Sequence, residues 1–232
     1  MKKENIIFIG VVAILLIFLV VIILLNKNTE KPHTEDLKGI DYNVNGNTTN
    51  LSQYNTKNPV VAMYIKNYGS IVMELYPNYA PNTVNNFISL VKSGFYDNNT
   101  FHRLMPGFVL QGGDPTGTGS GGPGYSIKGE FKNNGVTNDL KHTKGVISMA
   151  RGSYSMDSAG SQFFIMLGDS DFLDGDYAAF GRVIDGMEIV DIIAKNEVVA
   201  DTQSGKLQTN LVIVKALVDT KSINYPEVEK IK

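Results

Sequence analysis

The chain has 232 residues, enough for one domain with an appendage or for two small domains. Its formal charge is −2, so no basic excess argues for a nucleic-acid partner. It holds no cysteine, which removes disulfides, thiol catalysis, zinc–thiolate sites and a lipidated amino-terminal cysteine together and leaves stability to the core.

Residues 6–25 are an unbroken apolar run without charge or proline. As a helix, twenty residues rise about 30 Å, the thickness of a hydrocarbon core. A cleaved signal peptide would carry a shorter apolar region with small residues at the cut. This run is longer and ends in Leu24, Leu25, Asn26 and Lys27. Residues 1–25 are therefore expected to be an uncleaved, single-pass membrane anchor. Lys2 and Lys3 favour a cytoplasmic amino terminus and an extracytoplasmic remainder, although Lys27 and Lys31 keep the asymmetry small. Residues 26–58 are rich in Asn, Thr and Lys, show neither helical nor strand period, and are expected to be a disordered polar tether. A flexible chain of that length spans about 30 Å. Glycosylation sequons begin at Asn47 and Asn50, as chance allows in so Asn-rich a stretch.

A folded domain is expected over 59–219, with a tail at 220–232. Residues 60–66 and 71–75 read as strands around a hairpin signal at 67–70. Pro81 opens a helix whose apolar face is Val84, Phe87, Ile88, Leu90 and Val91, with Gly94 after its end. Strands follow at 101–104 and 107–111, divided by the turn signal of Pro106 and Gly107. Residues 112–124 are glycine-rich loop. Further strands are expected at 146–150, 162–167, 178–184 and 211–218. Between the last two lies a second helix, with Asp185 and Glu188 as a capping-box-like start and Ile189, Val190, Ile192 and Ile193 facing the core. Many short strands, two helices and no strand–helix alternation favour a closed barrel or sandwich over a parallel α/β sheet.

The most informative stretch is FHRLMPGFVLQGGD at 101–114. Period two sends Val109 and Gln111 to one face of the second strand, Phe108 and Leu110 to the other, although the turn beside Phe108 leaves open its escape from that alternation. An arginine, Arg103, an amide, Gln111, and apolar groups can so converge on one patch. Other motifs are weaker. GSGGPG at 119–124 fits G-x-G-x-x-G on paper, but no helix follows to meet a pyrophosphate, so it reads as a loop beside the site. Of His33, His102 and His142, none has a histidine partner at metal-ligand spacing, and no metal or other cofactor is expected. His102 has the chemistry of a general base, but beside Arg103 it reads better as a core or hydrogen-bonded structural histidine.

The 101–114 stretch, with GSQFFI at 160–165 and FLDGDYAAFG at 172–181, resembles the cyclophilins, the cyclophilin-type peptidyl-prolyl cis-trans isomerases. The three blocks come in the family's order and cover about 59–218. The resemblance implies a closed eight-stranded antiparallel barrel capped by two helices, with the substrate site on its outer wall, here preceded by one transmembrane helix. It implies Arg103 and Gln111 as catalytic residues. Phe108, Val109, Phe164 and Leu173 would cradle a proline ring, with Tyr177 and Phe172 at the rim. Gln162 would help Gln111 hold the substrate backbone, Ala150 and Arg151 would offer main-chain groups, and Gly119 would line the groove. Ordinary barrel core remains an equal reading of Phe164 and Leu173 from period alone.

The pattern also departs from the family. Val109 stands where methionine is frequent, Phe172 where many eukaryotic members have tryptophan, and Tyr177 where histidine is common, so cyclosporin binding is expected to be weak. Residues 152–159 run about two residues longer than in short eukaryotic members. The function implied is isomerisation of Xaa-Pro bonds in newly exported chains at the membrane. Two rivals are a non-catalytic module that grips proline segments and a holdase chaperone at the membrane surface. Arg103 favours the enzyme, since a binder needs the cradle and not the donor.

Overall fold

The computed structural model describes residues 42–44 and 47–231. The expected anchor at 6–25 lies outside the described residues, among which no helix is long and apolar enough to cross a membrane. In chain order the elements are β1 (Tyr42–Val44), β2 (Asn47–Thr49), β3 (Val60–Ile65), β4 (Gly69–Leu75), α1 (Pro81–Lys92), β5 (Thr100–Met105) and β6 (Val109–Asp114). There follow β7 (Val146–Met149), β8 (Phe163–Met166), β9 (Ala179–Asp185), α2 (Met187–Asn196), β10 (Val199–Asp201) and β11 (Lys206–Asp219).

Eight strands close on themselves in the order β11, β3, β4, β9, β7, β8, β6, β5, and β5 returns to β11. Every pairing in this ring is antiparallel. This is the closed eight-stranded barrel with two helices that the sequence implied. Alternation along the strands sends Val61, Met63, Met73, Phe101, Leu110, Ile147, Phe163 and Ile165 into one interior cluster. Helix α1 adds Phe87, whose ring meets Phe163 edge-on at 5.3 Å and Phe180 at 5.0 Å.

Helix α1 starts at Pro81, whose missing N–H is one the first turn cannot pair anyway. Ala80 before it has no side chain to cap the turn. Glu130 does so from a distant loop: its buried carboxylate accepts the Asn82 N–H at 3.0 Å, and the Thr83 N–H and hydroxyl at 2.7 Å each.

Four expectations are corrected. The capping box at α2 does not form: Gly186, at φ +80°, precedes the helix without a side-chain cap, and the Asp185 carboxylate instead accepts the Tyr54 hydroxyl. Of the four apolar α2 residues only Val190 and Ile193 are buried, because a short helix on a barrel mouth presents one narrow stripe inward; Ile192 is exposed. Strand β11 starts at Lys206, not 211, because its polar first half pairs with β10 and β5.

Finally, the tether expected over 26–58 is, from 49 to 58, part of the domain. Leu51, 4 % exposed, packs on Val60, Ala62, Tyr64, Val72 and Leu217, outward residues of β3, β4 and β11. Asn50 closes the turn beneath it by accepting the Ser52 N–H at 3.0 Å. Thr56 and Asn58 both donate to the Glu74 carboxylate. Nor is the 220–232 tail free. Asn82 and Glu229 exchange hydrogen bonds of 2.9 Å, Ser126 and Ile231 pair as backbone, and Lys230 lies 4.4 Å from the Tyr125 ring centre.

Candidate active site

Register assembles the site. Arg103 on β5 stands opposite Gln111 on β6, and Gln111 opposite Phe164 on β8, so guanidinium, amide and ring lie side by side across three strands. Arg103 Nη1 donates to Gln111 Oε1 at 3.1 Å, and Arg103 Nε donates to the Ser204 carbonyl at 2.9 Å. Gln111 Nε2 passes the chain on to Gln162 Oε1 at 3.0 Å, and Gln162 Nε2 donates to the carbonyls of Gly119 and Gly121 at 2.9 Å each. Burial lowers the guanidinium pKa, with the Tyr177 hydroxyl opposing it, but from so high a starting value that the group stays charged at neutral pH.

Beside this polar row lies an apolar cluster on the outer wall, the hollow in which the resemblance would seat a proline ring. Val109, Phe164 and Leu173 are 2, 5 and 6 % exposed and cluster with Val146, Met166 and Ala179 on the outside of the barrel. Phe108 and Tyr177 pack against its edge. Phe108 does escape strand alternation: it sits in the turn, its N–H donating to the Met105 carbonyl at 2.9 Å. Phe172 is 71 % exposed, its ring 5.6 Å from that of Phe108. The barrel-core reading of Phe164 and Leu173 is thus replaced: both are buried, but outside the barrel wall.

A groove of about 560 Å³ adjoins the hollow at Gln111, Ala150 and Gln162, with Gly119 and Arg151 also in its lining. The Arg151 side chain is itself fixed, Nε donating to the Asp176 carbonyl at 2.9 Å and the guanidinium lying 4.9 Å from the Tyr177 ring centre. The Ala150 N–H already donates to the Gln162 carbonyl at 2.9 Å, so of the main-chain groups expected to serve a peptide this one is taken.

Sequence reasoning missed two residues that support the site. His142 stacks on Phe164 at 6.2 Å, its Nδ1 3.0 Å from Asp174 Oδ1 and its Nε2 3.0 Å from Ser148 Oγ. Burial lowers its pKa despite Asp174, so the ring is neutral and braces both Phe164 and the Leu173 loop. The chain spacing from 142 to 174 hides this link.

Asp114 ends β6 and organises the glycine loop, accepting the Thr116 N–H at 2.7 Å and the Gly119 N–H at 2.6 Å. Burial alone would raise its pKa, but the backbone N–H groups of Thr116, Gly121 and Gly119, with the Thr116 hydroxyl, hold it at about 2. Gly121 must be glycine here, since a Cβ would fall 2.0 Å from Asp114 Oδ1. Of the two expected forms of His102, core or hydrogen-bonded, the structure has the packed one: both ring nitrogens are buried without a hydrogen-bond partner among the described residues, and burial lowers its pKa. It is a packed ring under the Gly119 loop rather than a hydrogen-bonded brace.

Comparison with known proteins agrees with this geometry. Residues 60–218 match the family model described as cyclophilin type peptidyl-prolyl cis-trans isomerase/CLD. Peptidyl-prolyl cis-trans isomerase B of Bacillus subtilis is 46 % identical over 133 residues, 57 % of this chain and 89 % of that protein. Peptidyl-prolyl cis-trans isomerase-like 1 of Gibberella zeae is 50 % identical over 120 residues, 51 % of this chain and 72 % of that one. A crystal structure of a Cryptosporidium parvum cyclophilin type peptidyl-prolyl cis-trans isomerase, in the presence of the dipeptide Ala-Pro, superposes with a TM-score of 0.61 at 34 % identity, over 68 % of this chain and 98 % of that one.

Proposed function

The chain belongs to the cyclophilin-type peptidyl-prolyl cis-trans isomerases, and from that premise we propose how its own residues catalyse and where. Rotation about an Xaa-Pro bond is opposed by amide resonance, with a barrier of about 18–20 kcal/mol. No covalent step is required to lower it. The proline ring enters the hollow of Phe108, Val109, Phe164 and Leu173, with Tyr177 and Phe172 as its rim. Gln111 and Gln162 hold the flanking backbone, helped by the carbonyl of Ala150 and the N–H of Arg151, while Gly119 borders the groove. As the amide twists, the prolyl nitrogen loses conjugation and becomes an acceptor. The Arg103 guanidinium donates to it then, and only weakly before, so its stabilisation falls on the transition state.

The observation that carries this reading is the Arg103–Gln111 hydrogen bond beside the Phe164 hollow. It holds a permanently charged, planar donor beside the apolar cluster of Val109, Phe164 and Leu173. Each factor of ten in rate asks for only about 1.4 kcal/mol of preferential stabilisation.

The test is cis–trans exchange of a short Xaa-Pro peptide, followed by NMR with and without the chain. Arg103→Ala is expected to cost about 10²–10³-fold in turnover while peptide affinity changes little and the fold is kept. Near-normal turnover in Arg103→Ala would overturn this mechanism in favour of a non-catalytic proline binder. The setting proposed is the extracytoplasmic face of the membrane, on newly exported chains, supported by the apolar run at 6–25. External protease on intact cells is expected to release the domain; release only after lysis reverses the orientation.

A further inference from the structure

Arg103 is gripped from two sides, and only one of them belongs to its own sheet neighbour. Gln111 takes Nη1, while Nε goes to the Ser204 carbonyl, a hundred residues away in the turn between β10 and β11. That turn is tightly closed. Asp201 O accepts the Gly205 N–H at 2.8 Å, its Oδ1 accepts the Gln203 N–H at 3.0 Å, and its Oδ2 accepts the Ser204 hydroxyl at 2.8 Å. Ser204 Oγ in turn accepts the Lys206 N–H at 3.3 Å.

The turn lies flat on the arginine's strand. Lys206 is the register partner of Arg103, and the Gly205 carbonyl accepts the Leu104 N–H at 2.8 Å. Gly205 has φ +75°, and a Cβ there would fall 2.7 Å from Met105 Sδ, 2.8 Å from Leu104 O and 3.1 Å from Arg103 Cγ. Nothing larger than glycine lets the two segments approach so closely. Because a guanidinium is a rigid planar fork, fixing Nε and one Nη fixes the plane of the whole group.

We propose that Asp201 is a positioning residue for isomerisation: by closing the 201–205 turn it aims the Ser204 carbonyl at Arg103 Nε and so sets the plane in which the guanidinium meets the prolyl nitrogen. This rests on the reading of Arg103 as the catalytic donor. The Ser204 hydroxyl and Gln203 N–H hold the Asp201 carboxyl below its ordinary pKa, so it is an ionised, acceptor-only group at neutral pH. Ser204 offers a backbone carbonyl, whose aim depends on how the turn is closed. The substrate never needs to touch Asp201, and the carboxylate acts through Arg103 alone.

The experiment is peptide exchange kinetics on the full chain carrying Asp201→Ala, in the wild-type and Arg103→Lys backgrounds, with the Arg103 Nε–H resonance read by NMR. In the wild-type background, kcat is expected to fall about threefold to tenfold, as for loss of one well-aimed hydrogen bond, with KM held within about twofold. The Nε–H signal, assigned by its absence in Arg103→Lys, loses its downfield shift and its protection from exchange. Asp201→Asn recovers most of kcat, because the amide oxygen still accepts from Gln203. In the Arg103→Lys background, Asp201→Ala has no further effect, since lysine presents no Nε–H for the turn to hold. Equal losses in both backgrounds, or an unmoved Nε–H signal, overturn the positioning role while leaving Arg103 as donor. Full turnover in Arg103→Ala overturns the catalytic reading and this role with it. Should Asp201→Ala fail to fold, Ser204→Ala keeps the carbonyl, removes the bond to Asp201 and the longer one from the Lys206 N–H, and is expected to move kcat and the Nε–H signal the same way; no movement in either sinks the proposal.

Discussion

The barrel has two apolar outer walls, and they are finished differently. On β3, β4 and β11, Val60, Ala62, Tyr64, Val72 and Leu217 face outward and are covered by the chain itself, through Leu51 and Tyr54. On β6, β8, β7 and β9, Val109, Phe164, Met166, Val146 and Ala179 face outward and are packed under Leu173, with Met105, Phe108, Leu140, Ala150 and Tyr177 against them. Strands buried on one side do not ordinarily carry apolar residues on the other. Where they do, something must lie on top. The first wall has a cover held by polar pins: Tyr54 to Asp185, Thr56 and Asn58 to Glu74, and Lys221 Nζ to the Leu51 carbonyl at 3.1 Å. The second wall carries no such amino-terminal cover, and it is the one proposed above to receive the proline ring.

The comparison can be broken from the covered side first. A chain begun at Asn58 loses Leu51 and Tyr54, and set against one begun at Tyr42 it should be less stable by about 3 kcal/mol, as measured by urea denaturation. Its isomerase activity at low temperature should be unchanged, because the lost cover touches none of the site residues. Equal denaturation midpoints would show that the cover contributes nothing.

On the open wall, cyclosporin should bind weakly. Phe172 has no N–H to donate, and loss of one hydrogen bond with its packing costs about 1–3 kcal/mol. Inhibition at low nanomolar concentration contradicts this. Phe108→Ala should lower kcat/KM about tenfold, through binding and rate together, because its ring edges the hollow in both states. Its stability should move by less than about 1 kcal/mol, since the residue is only partly buried; a larger drop would make Phe108 core rather than rim.

The smallest effect concerns the glycine loop. The Asp114 pKa is depressed from 3.8 to about 2, so its contribution is complete above about pH 4 and lost as pH falls through 2. The amide signals of Gly119 and Gly121 should therefore shift over that acid window. Shifts centred near pH 4 would mean that the carboxylate is not held as described.

Legibility followed sequence distance. Arg103 and Gln111 stand on strands divided by a single Pro–Gly turn, so their pairing could be read from eleven residues or so around them. The barrel strands were legible for the same reason, each carrying its own alternation. The 49–58 cover was not, because Leu51 is one apolar residue in a polar stretch and its pins reach Glu74 and Asp185. The brace of His142 on Phe164 and Asp174 was hidden in the same way, as was the turn that holds Arg103. The expected capping box at Asp185 misled because a local pattern was outcompeted by Tyr54, 131 residues away in the chain.

The Glu130 carboxylate on the first turn of α1 bears on the order in which the molecule assembles. A twelve-residue helix is marginal in water by itself, and this one has alanine where a capping side chain would usually sit. Its start is completed by a residue 47 positions downstream of Thr83. The helix therefore cannot serve as an early local nucleus that the strands later dock upon. Its amides at Asn82 and Thr83 acquire protection only when the loop bearing Glu130 is in place, and that loop is itself tied to β9 by Asn138, which donates to both the Glu130 and Ala179 carbonyls at 2.9 Å. Amide-exchange labelling during refolding is expected to show the Asn82 and Thr83 amides protected together with β9 and not before it.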